Sequence, residues 1–161
     1  LLAAAQEIDK LAVLHQGGRL DAGQMESLVA DSAHYDVFKL TDAAFVGDGA
    51  RALRILAGLR AEGDELLALM GWLVNQLQLA LRLASAANLN AQMQAEHVFA
   101  TREKLLRQAL RRASRGHWLD CLRRAGRIDR MVKGRAPGDP WREAERLVAV
   151  IAEPRLAEAL A

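Results

Sequence analysis

A chain of 161 residues is one ordinary domain, or a small domain joined to a piece of another. Apolar residues make up 52% and aromatic residues only 4%, a Leu- and Ala-rich composition that points to an all-α fold with a sizeable core. The single cysteine, Cys121, excludes an internal disulfide and any multi-cysteine metal site, and the formal net charge of +2 conceals a strong local asymmetry. The chain opens on Leu1-Leu2-Ala3-Ala4-Ala5-Gln6-Glu7-Ile8-Asp9-Lys10-Leu11 as if inside a helix. It has no initiator Met, N-cap or secretory leader ahead of it, so a fragment of a longer protein is expected. The first helix runs to about Leu14, with Leu1, Ile8 and Leu11 and either Ala4 or Ala5 on one stripe. Gln16-Gly17-Gly18 stops it. Asp21 then caps a second helix, with Gln24 completing a capping box and Met25, Leu28 and Val29 inward. Such an αα-hairpin is too small to fold alone.

The segment His34-Tyr35-Asp36-Val37-Phe38 reads as a hinge between two units, and Asp36 can cap a helix over Val37–Val46. Gly47-Asp48-Gly49 ends that helix and starts another, with Leu53, Ile55, Leu56 and Leu59 as its apolar face. Gly63-Asp64 repeats the stop and start. The longest helix is expected from Asp64 to about Ala86. Leu66, Leu69, Met70, Leu73, Leu77, Leu81 and Ala84 form its stripe, and Leu67, Val74 and Leu83 widen it, so it belongs between neighbours. Residues 86–90 read as a loop, followed by a helix over Ala95–Ala113 with Val98, Phe99, Leu105, Leu106, Ala109 and Leu110 inward. A helix over His117–Lys133 buries Trp118, Leu119, Leu122, Ile128 and Met131 or Val132. After a Gly/Pro loop, Asp139-Pro140 starts the last long helix, with Trp141, Ala144, Leu147, Val148 and Ile151 as its core face. Pro154 breaks it, and the tail beyond is expected to fray. No segment alternates with period two long enough to be a strand. The apolar stretches are interrupted well short of 18 residues, so no transmembrane helix is expected and a cytosolic, reducing home is the default.

Charge is distributed unevenly. Residues 1–101 hold 7 Lys/Arg and 12 Asp/Glu, whereas residues 102–135 hold 12 and 3. Residues 136–161 hold 3 and 5. Such an excess marks either a nucleic-acid footprint or one side of a charged protein interface. Arg123, Arg127, Arg130, Lys133 and Arg135 recur every three or four residues along one helix and into its loop. Arg123, Arg127 and Arg130 share a face, and Arg124 points partly away. Their mutual repulsion is relieved when something anionic approaches, so these five are the candidate contacts for DNA or a partner. A solvated helix face without a partner is the competing reading.

Little else carries chemistry. There is no phosphate loop and no dinucleotide fingerprint, and Gly47-Asp48-Gly49 is better explained as a helix-to-helix turn. His15, His34, His97 and His117 are scattered. Cys121 lies one turn after His117, but a Cys/His nucleophile needs a third group and an oxyanion hole, so a small core cysteine is the better reading. Asp42, Glu62 and Glu65 show no paired-carboxylate spacing. Trp72, Trp118 and Trp141 stand at core spacing. No catalytic residue, cofactor or metal is expected.

The opening string LLAAAQEIDKL resembles the lid helix of the delta-subunit family of bacterial DNA polymerase III clamp loaders. The likeness continues in order. Leu28–Phe38 is similar to that family's link from lid to collar. Leu40-Thr41-Asp42-Ala43-Ala44, Gly47-Asp48, Arg51–Leu56 and Leu59–Gly63 resemble its opening collar helices. Arg102, the run from Ser114 through Asp129 to Lys133-Gly134, and Trp141 resemble its closing helices. Phe99 stands where the family pattern has Trp, a change of core filler. The resemblance implies an all-α protein in two parts. Residues 1–35 would be the end of the lid (AAA+ domain II-like), and residues 36–161 a collar that holds the subunit in a five-membered ring. The implied partners are loader subunits of the delta-prime and gamma/tau types through the collar. Primer–template DNA is a candidate for the basic strip, the sliding clamp is reached only through an N-terminal domain outside this sequence, and no membrane is involved. The alternative is a free-standing helical nucleic-acid binder using Arg102–Arg135. Its basic residues spread over two helices and a loop, which suits backbone or partner contacts more than base readout.

Overall fold

Among the described residues four helix ends are closed by the same device, and three of the four carry its usual glycine. The computed structural model describes residues 36–160; the hairpin expected over residues 1–33, with Leu1, Ile8 and Leu11 on its bare face, lies outside the described residues. From Lys39 onward the chain is one compact unit. Its helices are α1 (residues 36–46), α2 (Gly49–Glu62), α3 (Leu66–Ala84), α4 (Leu89–Ala95), α5 (Ala100–Arg112), α6 (Arg115–Val132), α7 (Pro140–Ala152) and α8 (Leu156–Ala159). No strand occurs among the described residues, in keeping with the all-α expectation.

The starts are set by side-chain caps that satisfy otherwise orphaned N–H groups. Asp48 accepts from Arg51 N at 3.0 Å, Asn88 from Ala91 N at 3.1 Å, and Ser114 from His117 N at 3.3 Å. Asp139 accepts from Trp141 N and Arg142 N, with Pro140 at the first helical position as expected. The shared ending pairs two backbone N–H groups with carbonyls of the last turn around a left-handed residue. After α1, Gly47 and Asp48 donate to Ala44 and Ala43; after α2, Gly63 and Asp64 donate to Arg60 and Leu59. After α6, Gly134 and Arg135 donate to Met131 and Arg130. After α4, His97 and Val98 donate to Gln94 and Met93, and His97 sits at φ 51°, a region that costs a residue with a Cβ.

That ending corrects the middle of the sequence reading. The helix expected over Ala95–Ala113 is two helices, with α4 starting at Leu89 inside the expected loop and α5 starting at Ala100. Phe99, expected inward as a core filler, is 77% exposed in the joint between them. Arg82 forks onto the end of α4, its Nε and Nη2 donating to Glu96 at 2.7 and 2.9 Å, and this hydrogen bonding holds the Glu96 carboxyl below its ordinary range.

Packing centres on α3. Its most extensive partner is α6, while α4 and α5 lie against it further along. α7 packs on both α6 and α2, and α8 on α7. Leu73 and Leu77 of α3, Trp118 and Ile128 of α6, and Leu147 and Ile151 of α7 are all essentially inaccessible. Phe45 of α1 meets Trp118 with ring centroids 5.5 Å apart and tilted, a favourable aromatic geometry. Of the other tryptophans, Trp72 is half-buried and donates to Thr41 Oγ1 at 3.4 Å, and Trp141 is half-buried under the Arg60 guanidinium, 5.5 Å from its ring centroid. Leu67, expected to widen the buried stripe, is 43% exposed instead. The 19-residue α3 is long and apolar enough to cross a bilayer by length and composition alone, a test that the core helix of a bundle also passes. Here it serves as the central helix of the bundle, with Leu66, Leu69, Met70, Leu73, Leu77, Ala80 and Leu83 buried.

Candidate anionic-partner face on α6

α6 buries Trp118, Cys121, Ala125, Ile128 and Met131, a stripe at spacings of three and four. At 100° per residue, Arg123, Arg127 and Arg130 fall opposite that stripe. All three are exposed, and so are Lys133 and Arg135 just past the helix end. The five sequence-predicted residues thus lie along one helix and its exit. Two of them have carboxylates of their own helix. Arg123 pairs with Asp120 at 2.8 Å and Lys133 with Asp129 at 2.7 Å, in settings where water screens the attraction. Arg127, Arg130 and Arg135 have no acidic side-chain partner among the described residues.

Much of the remaining basic excess turns inward. Arg102 pairs with Asp42 at 3.2 Å and donates to Gln76 Oε1 at 3.1 Å. Arg107 is held by Glu103 and Asn90. Arg112 donates to the Phe45 and Ala152 carbonyls, near the ends of α1 and α7. Arg124 donates to Ala157 O at 2.8 Å and Leu160 O at 2.6 Å and so fastens the C-terminal segment, which is why it departs from the outward face. Carbonyls at helix ends lack intrahelical partners and carry the negative end of the dipole, so a guanidinium suits them. Sequence reasoning missed this structural group. A run of basic residues shows no difference between an arginine aimed at solvent and one aimed at a carbonyl distant in sequence.

Cys121 and His117 do meet, with Sγ and Nε2 3.5 Å apart. Burial pushes the Cys121 thiol up to about 12, the reverse of what a nucleophile needs, and burial also lowers the His117 pKa. The pair reads as core and rim. In the native protein Cys121 is expected to resist a thiol-reactive dye at pH 8 and to react stoichiometrically once urea unfolds the chain. Rapid labelling of the native protein would contradict the burial argument. No cluster of three His, Cys, Asp or Glu suited to a metal occurs among the described residues.

Residues 37–158, nearly all of α1 to α8, match the family model for the processivity clamp loader gamma complex of DNA polymerase III, C-terminal region. The chain belongs to that family. It is also 30% identical to DNA polymerase III subunit delta of Escherichia coli strain K12 over 161 residues, covering 98% of this chain. It spans 47% of that relative's length. These findings bear out the family resemblance drawn from the sequence and a clamp-loader subunit role, and they do not favour the free-standing nucleic-acid binder. In this clamp-loader C-terminal domain, the outward face of α6 carries three arginines without an acidic side-chain partner among the described residues.

Proposed function

We propose that this domain is the collar of a delta-type clamp-loader subunit, a non-catalytic assembly module in the cytoplasm. In this reading residues 1–35 close the lid and the helices from residue 36 onward hold the subunit among delta-prime and gamma/tau-type neighbours in a pentameric loader. Placement of the sliding clamp on primed DNA then depends on the N-terminal part of the complete subunit and on the other subunits. The observation that carries the reading is the family match across residues 37–158. The test is reconstitution. The complete subunit is expected to co-elute with the other loader subunits on size exclusion, and the same subunit cut before Lys39 is expected to elute alone. Co-elution of the cut form would overturn the collar role.

The outward face of α6 we assign to an anionic partner, since Arg127, Arg130 and Arg135 have no carboxylate partner among the described residues. Primer–template DNA is the second reading, favoured by those same cations. Phosphate contact works through counterion release, so it is salt-dependent and indifferent to base sequence. On that reading Arg127→Glu/Arg130→Glu/Lys133→Glu lowers primer–template affinity at least tenfold at low salt, measured by fluorescence anisotropy. Equal binding by both proteins removes DNA as the partner of this face.

A further inference from the structure

Beyond α7 the chain turns at Pro154 and lies beside α6 as a strap that includes α8. None of the α8 residues is buried. Pro154, Ala157 and Leu160 are half-buried, and Arg155, Leu156 and Glu158 are exposed. An open cleft of about 600 Å³ lies under the strap, lined by Pro154, Arg155 and Glu158 on one side and by Ser114, His117 and Asp120 on the other. Apolar burial therefore contributes little to holding the strap, and its attachment to α6 is polar. Arg124 Nη1 donates to Leu160 O at 2.6 Å, and Nη2 donates to Ala157 O at 2.8 Å. Both carbonyls stand at the end of α8, where acceptors lack intrahelical partners.

Arg124 is the cation that this contact withholds from the outward face of α6. At 100° per residue it stands about 60° around the helix from Arg127. Arg123, Arg127 and Arg130 are exposed, whereas Arg124 is half-buried. A neutral carbonyl offers a guanidinium a partial charge, and a phosphate offers it a full one in a bidentate geometry. A phosphate chain lying on Arg127 thus competes on favourable terms for Arg124, and the strap has little burial with which to resist.

We propose that the strap is a displaceable cover. Its Ala157 and Leu160 carbonyls occupy Arg124 in the free subunit, and a bound nucleic-acid backbone takes Arg124 in their place. This rests on the DNA reading of the α6 face and adds to it a fourth cation and the contact that controls it. The experiment measures labelled primer–template DNA binding to the complete subunit by fluorescence anisotropy at low and moderate salt. Deleting residues 154–161 removes Arg155 and Glu158 together, so the side-chain charge is unchanged. Leu156→Gly/Ala157→Gly/Ala159→Gly melts α8 and keeps every charge. Circular dichroism shows that each variant is folded. Both are expected to bind about threefold tighter or more at low salt, with a salt slope steeper by about one ion. Arg124→Gln in either background is expected to remove the gain. Amide exchange over residues 156–160 of the native subunit is expected to speed up when DNA is added. Unchanged affinity in both folded variants overturns the proposal, as does a gain that survives Arg124→Gln or strap exchange that DNA leaves unchanged or slows. Equal binding by the native subunit and Arg127→Glu/Arg130→Glu/Lys133→Glu removes the DNA reading and the strap proposal with it. Weaker binding by that variant, with no gain on loosening the strap, leaves the DNA reading standing and ends the strap proposal alone.

Discussion

Leu77→Ala is expected to lower the unfolding free energy by about 2–5 kcal/mol. Leu77 is fully buried near the middle of α3, whose packing partners include α4, α5 and α6. Truncation removes apolar contacts and leaves a cavity in a region where several helices meet. The walls of that cavity belong to different helices, so no one element can close it by shifting alone. Equilibrium urea unfolding measures the loss directly. The midpoint should fall with little change in slope, because the surface exposed on unfolding is nearly the same. A loss below about 1 kcal/mol, smaller than any ordinary buried leucine truncation, would mean that α3 does not centre the bundle. Leu67→Ala on the same helix provides the contrast. Its side chain is 43% exposed in an open groove beside α6, so its removal should cost the isolated chain far less.

That contrast shows what periodicity reveals and what it leaves out. Apolar spacing marked α3, α6 and α7 and the larger part of their inward residues, because burial along a long helix repeats at its own pitch; it passed over the small residues Ala80, Ala125 and Ala152 and placed Leu119, Leu122 and Trp141 inward where they are half-buried. Caps at Asp48 and Asp139 were legible for the same local reason, since an aspartate accepting from the next turn needs nothing distant. His97 was not legible. It ends α4 with the hydrogen-bonding pattern that Gly47 and Gly63 provide elsewhere, but a histidine carries no signal for a left-handed backbone. Missing that break put Phe99 inside an imagined continuous helix and therefore into the core. Leu67 was misjudged for a different reason. It lies well off the stripe of Leu66, Leu69, Met70, Leu73 and Leu77 that the bundle buries, on the wall of the open groove beside α6. The outward set Arg123, Arg127 and Arg130 was read correctly as sharing a face. Separating those three from Arg102, Arg112 and Arg124 required contacts across 26 to 67 residues of sequence.

Arg112→Ala is expected to cost about 2 kcal/mol, although its charge sits in a segment that sequence alone assigns to partners. The Arg112 guanidinium donates to Phe45 O at 3.0 Å and also to Ala152 O, so one side chain serves the ends of α1 and α7 together. Both contacts are partly buried, and water reaches the carbonyls only in part once the side chain is gone. Two charge-assisted bonds at about 1.5–3 kcal/mol each set an upper limit, and residual hydration brings the expected loss below it. Arg112→Lys should recover only part of the stability, because an ammonium lacks the planar fork that spans two acceptors. Gly47 makes the argument sharper. It sits at φ 94°, and a Cβ there would lie 2.6 Å from the Arg112 guanidinium carbon. Gly47→Ala therefore suffers both a backbone penalty and a clash with this arginine. In the Arg112→Ala background the clash is gone and the backbone penalty remains. A double-mutant cycle by urea unfolding should give a coupling of at least about 0.5 kcal/mol, with Gly47→Ala less harmful when Arg112 is absent. Strict additivity would show that the guanidinium does not occupy the space beside Gly47. The role of Arg112 as the tie between α1, α5 and α7 would then fall.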